Sequence, residues 1–177
     1  MASPLLLGNL IDIIEGFPTV DLQTGANTGD YISLRNASCV IILFTSGVGT
    51  AGDDPTVTVQ QATSAAGGSV KALNIVTSPV QVWKKQATTD QSSTAVWEDA
   101  SGDASTNTWT HADSAEQSTM VAIEFKTEDL DVDNAFVYIR ATIADIGGNA
   151  QPGDLKYIVC PMYPSNPDDA LTYLADR

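Results

Sequence analysis

The chain is poor in basic residues, in charge overall, in cysteine and in histidine, and it lacks any long apolar run. Eight Lys and Arg stand against 22 Asp and Glu, a formal net charge of −14. Nucleic acid is itself densely negative, so this field opposes binding to it. Of the bases only Lys84 and Lys85 adjoin, too little for a local basic patch, and nucleic acid is excluded as an expected partner. No stretch approaches the ~20 apolar residues that span a bilayer, so no membrane partner is expected. Leu5-Leu6-Leu7 is short, lacks a basic flank and is broken by Gly8-Asn9 and then Asp12, unlike a signal peptide. A chain made and kept on the soluble side of a cell is the expectation.

The two cysteines, Cys39 and Cys160, lie far apart in apolar strand-like runs, and no CxxC occurs. They read as buried free thiols of a reduced compartment, or else as a disulfide joining the first and last strands of a sandwich. His111 is the single histidine. Its neighbours Thr110, Ala112 and Asp113 form no triad or zinc pattern, so it reads as a surface strand end.

What is present is strand. Hydrophobic residues make up 43% of the chain and charged ones only 17%, below the ~25% usual for globular proteins; Ser, Thr, Gln and Asn fill the polar positions. Val40-Ile41-Ile42-Leu43-Phe44 is a continuous apolar run of strand length, whereas Thr56-Val57-Thr58-Val59-Gln60 alternates. Between them, Gly47, Gly49, Gly52, Asp53, Asp54 and Pro55 are turn chemistry, and a hairpin is expected there. Strands are also expected near 31–35, 70–76, 80–86, 94–98, 107–111, 119–126, 135–144 and 155–160. Helical signal is thin, confined to a short C-terminal turn over 168–174.

This pattern predicts an all-β fold, an antiparallel β-sandwich or jelly roll in one domain over 30–177, preceded by an extended N-terminal arm over 1–29. The arm is apolar at Leu5, Leu6, Leu7, Ile11, Ile13 and Ile14 and punctuated by glycine and proline. These six residues are the candidate partner contacts, since an apolar segment near a terminus packs on its own domain or on a neighbour.

Gly47-Val48-Gly49-Thr50-Ala51-Gly52 has the spacing of a dinucleotide loop, but it precedes a strand rather than opening a helix, and Asp53-Asp54 would repel phosphate. Asp129-Leu130-Asp131-Val132-Asp133-Asn134 begins like a calcium loop, yet Asn134 stands where glycine belongs and Arg140 where the bidentate glutamate belongs. It reads as a solvated acidic turn, with a loose cation site as the alternative. Glu116, Glu124 and Glu128 offer a glycosidase pair only in the sense that any acidic protein does. Trp83, Trp97 and Trp109 read as core or interface residues, or else as a sugar-binding face. No catalytic, cofactor or metal residues are expected, and the chain is not expected to be an enzyme.

The residues Gly29-Asp30-Tyr31-Ile32-Ser33-Leu34-Arg35-Asn36, Gly49-Thr50-Ala51-Gly52-Asp53-Asp54-Pro55, Val59-Gln60-Gln61-Ala62-Thr63 and Lys71-Ala72-Leu73 resemble small structural proteins of tailed bacteriophages. The likeness continues through Ile123-Glu124-Phe125, Asp129-Leu130-Asp131-Val132, Phe136 to Ile143 and Gly148-Asn149-Ala150. It covers most of the chain after about residue 29. The resemblance implies a virion protein akin to capsid decoration or cement proteins. Such a protein would sit on the capsid surface, bridge subunits of the major capsid protein, and itself be a homo-oligomer, a trimer suiting the shell's three-fold axes. It implies no catalytic residues and no cofactor. A head–tail or tail structural protein and a carbohydrate-binding adhesion module are the alternative functions.

Overall fold

The structure is a computed structural model and describes residues 10–76, 80–88, 95–111 and 117–162. Two antiparallel sheets pack face to face, as the composition predicts. The first has six strands in the order β1 (Asp12–Asp21), β13 (Pro152–Pro161), β4 (Ala37–Ser46), β11 (Ser118–Lys126), β7 (Gln81–Ala87) and β8 (Glu98–Asp99). The second is built around β12 (Tyr138–Ile143) and β5 (Thr56–Ala62), with β10 (Thr108–Thr110) and β9 (Ala104–Ser105) continuing beyond β5. Its short strands β2 (Asn27–Thr28) and β3 (Ile32–Ser33) pair with β12, and β6 (Val70–Ala72) pairs with β5.

The core lies between the sheets, where alternate residues of each strand meet. Val40, Ile42 and Phe44 of β4, Val121, Ile123 and Phe125 of β11, and Leu155, Tyr157 and Val159 of β13 point inward. Val57 and Val59 of β5, Ile139, Ala141 and Ile143 of β12, and Trp109 of β10 face them from the second sheet. Each fully buried aliphatic or aromatic side chain of this kind contributes about 1.5–3 kcal/mol relative to exposure.

One polar strut crosses the core. The Ala141 amide donates to Tyr157 Oη at 2.9 Å, and the Tyr157 hydroxyl faces the Asp30 carbonyl at 3.3 Å. Burial pushes the Tyr157 phenol well above its ordinary range. Gly29 leaves room for this hydroxyl: a Cβ there would lie 2.5 Å from Tyr157 Oη.

Three expectations need correction. The β4–β5 connection is not a hairpin, because β4 belongs to the first sheet and β5 to the second. The loop is an arch between sheets, held by the Asp53 carboxylate, which accepts from the Asn149 amide at 3.0 Å and side chain at 2.7 Å. A turn rich in glycine and Asp serves an arch as well as a hairpin, so local chemistry does not separate them. His111 is not at the surface: it is buried, stacks on Trp109 with ring centroids 5.9 Å apart, and shares a 2.8 Å hydrogen bond with the Thr119 hydroxyl. Finally, much of the segment 1–29 is part of the sandwich. Residues 12–21 form β1 along β13, Leu22 is buried with its amide bonded to the Gln151 carbonyl at 2.9 Å, and 27–28 form β2. Ladder irregularities between Glu15 and Phe17 and between Phe17 and Val20 place Ile14, Phe17 and Val20 toward the core at a spacing of three rather than two. The expected C-terminal turn over 168–174 lies outside the described residues.

Candidate functional site: an apolar outer sheet face

The ladder register of the six-stranded sheet also fixes what its outer face presents. One row runs Ile13, Ile158, Ile41, Glu124, Gln81. The next runs Glu15, Lys156, Leu43, Ala122, Trp83. A third runs Asp154, Thr45, Met120, Lys85. The middle of this face is therefore apolar, and ionic side chains stand around it. Trp97, from the segment before β8, joins Trp83, Leu43, Ile41, Met120, Ala122 and Ile158 in an open groove of about 490 Å³. Ile13 remains 51% exposed and Trp97 46%, so the face is a surface and not an outlying part of the core.

This is unusual for an antiparallel sheet with one face to solvent, where polar side chains are expected to alternate outward. The continuous run Val40–Phe44 was the sequence signal for it. Val40, Ile42 and Phe44 fill the core, which leaves Ile41 and Leu43 as apolar side chains on the other face. The same holds for Ile158 between Tyr157 and Val159.

Of the six candidate contact residues, Ile13 takes part in this face, Ile14 packs against the core, and Ile11 is half-buried just before β1. Leu5, Leu6 and Leu7 lie outside the described residues. The tryptophans divide: Trp83 and Trp97 line the groove, whereas Trp109 is fully buried and cannot form a sugar-binding face with them.

The acidic segment 129–134 does not converge on a cation. The Asp129 carboxylate accepts from the Lys126 amide at 2.7 Å, and that of Asp131 pairs with Lys71 and accepts from Asn134 Nδ2 at 2.9 Å. The hydrogen bond from Lys71, then that from Asn134, holds the Asp131 carboxyl below its ordinary range. Glu128 stands beside Lys126 at 3.3 Å, Glu124 lies in the sheet face, and Glu116 is outside the described residues. Among the described residues, no group of three or more His, Cys, Asp or Glu is placed to hold a metal ion. No helix of the described chain is long and apolar enough to cross a membrane.

Comparison with protein-family models gives no match, and comparisons with curated proteins and with solved structures give none either.

Proposed function

We propose that this protein is a virion structural protein of a tailed bacteriophage, a capsid decoration protein that docks on the major capsid protein through the apolar outer face of its six-stranded sheet. The observation that carries this reading is the face itself, with Ile13, Ile158, Ile41, Leu43, Trp83 and Met120 contiguous and ionic residues around them. Protein interfaces have this anatomy: an apolar centre enriched in aromatic residues and Met, within a polar rim. The resemblance of the segments after residue 29 to phage structural proteins supplies the virion setting.

The energetics suit a cement. A shell under pressure from packaged DNA gains stability when small proteins bridge neighbouring subunits, and many modest contacts act together. A homotrimer seated on capsid three-fold axes would present three such faces.

The test is to add the purified protein to shells that lack it. Shells carrying the wild type should disrupt at a higher temperature, with copies in the hundreds per particle. Leu43→Lys should lose shell binding while melting as the wild type does. Shells whose disruption temperature does not change on adding the wild type would overturn the reading, and a single ring of copies would favour the head–tail alternative.

A second reading, a carbohydrate-binding module, is favoured by Trp83 and Trp97 lining one groove. Sugar rings stack on aromatic faces, but their hydroxyls need polar partners, and Glu124 is the charged side chain among the described lining residues. A glycan array in which the wild type binds and Trp97→Ala does not would favour it over docking on protein.

A further inference from the structure

Cys39 and Cys160, far apart in sequence, are directly paired across β4 and β13. Both are free and half-buried. Their strand neighbours Val40 and Val159 point into the core, so the two cysteine side chains share the outer face, next to the row containing Ile158 and Ile41.

Directly opposed residues on antiparallel strands have Cα atoms about 4.5 or 5.5 Å apart, and either spacing falls inside the span a disulfide bridges. The ladder is irregular immediately after this pair, between Cys160 and Pro161. A bulge of that kind loosens the local backbone and lets a side chain be re-aimed.

We propose that Cys39 and Cys160 form a redox-responsive pair, closing to an intramolecular cross-strand disulfide when a low-molecular-weight disulfide oxidises them and reopening under thiol reductants. In the forward step the thiolate of one cysteine attacks a sulfur of the small disulfide. A mixed disulfide forms and one small thiolate leaves. The thiolate of the other cysteine then attacks the protein sulfur of that mixed disulfide and expels the second small thiolate. The protein loses two protons and two electrons, and the oxidant departs as two thiols.

The bond would close a loop of most of the chain and tie the last described strand to the centre of its sheet. Burial, and then the neighbouring Cys39 thiol, raises the Cys160 thiol above its ordinary range. Closure is therefore slow near neutrality and speeds up as the solution becomes more alkaline, because the thiolate is the attacking species.

The experiment treats the full-length protein with oxidised glutathione at mildly alkaline pH, then traps remaining thiols and analyses intact mass and peptides. The expected product is a monomer that has lost two hydrogens, with a Cys39–Cys160 cross-linked peptide, restored by dithiothreitol. It should melt roughly 5–15 °C higher than the reduced form. Cys39→Ser and Cys160→Ser should each give only a stable mixed disulfide with glutathione and no gain in melting temperature. Two persistent glutathione adducts on the wild type, two thiols still free after prolonged oxidation, or disulfide-linked dimers in place of the monomer would each overturn the proposal. A cross-linked monomer that melts no higher than the reduced form would overturn the strand lock. The wild-type peptide map decides the matter even if a serine variant fails to fold.

Discussion

The outer faces of the two sheets are built from different chemistry although both strands' inner faces fill one core. On the second sheet, Thr108, Thr58 and Thr142 lie in one row and Arg140 and Gln60 in another. There the Arg140 guanidinium donates to Gln60 Oε1 at 2.9 and 3.1 Å and sits 4.4 Å from the Tyr31 ring centroid. That face is a polar, water-compatible surface. On the first sheet the corresponding rows carry Ile, Leu, Trp and Met. Inner faces are alike because a core demands it; outer faces are free to differ, and the difference is what singles out the first sheet's outer face for the proposed docking.

The comparison can be broken most severely from inside. Trp109→Ala removes the largest fully buried side chain and, with it, the stacking surface of His111. A loss of about 3–5 kcal/mol in chemical denaturation is expected. Both outer faces should fail together, since both rest on that core.

Next is the proposed docking face. Leu43→Lys should cost about 2 kcal/mol or more of binding to capsid shells, as interface centres do, read as a roughly 30-fold or greater rise in Kd. Its denaturation midpoint should stay near that of the wild type.

Tyr157→Phe tests the strut between the sheets. It leaves the Ala141 amide buried without its acceptor, which costs about 1–3 kcal/mol. The pH dependence follows from the same group. An unfolded tyrosine titrates near pH 10, and burial raises the folded value. The folded state therefore holds the proton longer, so the contribution is complete below about pH 10 and is lost as pH rises through the folded value. Denaturation midpoints followed from about pH 8 to 11 should fall less steeply in Tyr157→Phe than in the wild type.

The smallest effect is expected on the polar face. Thr58→Lys should change stability by no more than about 0.5 kcal/mol and leave shell binding unchanged. If Thr58→Lys abolished binding and Leu43→Lys did not, the assignment of faces would be reversed.

Much of the fold was legible. The strands at 56–62, 118–126 and 138–143 follow period-two alternation because each has one face in the core and one outside. β1 was missed because its ladder irregularities turn that period into a spacing of three, and because Gly16 and Pro18 read as breaks. His111 was misplaced because its polar surroundings in sequence gave no hint of Trp109 and Thr119 closing over it. Of the apolar outer face, the uninterrupted run at Val40–Phe44, Ile13 as a candidate contact and Trp83 and Trp97 as candidate interface residues showed in advance. Met120 and Ile158 looked ordinary until the register aligned them with Ile13 and Trp83.

Composition and periodicity by themselves determined the all-β class, most of the longer strands and much of the core, because burial of alternate side chains is a local pattern repeated along the chain. They also determined the strongly acidic charge. Strand order was decided only in three dimensions: the arch after β4, the joining of Ile13 to Trp83 across five strands, and the meeting of Cys39 with Cys160. Those contacts join residues far apart in sequence, and the register that sets them is a property of the assembled sheet rather than of any one strand.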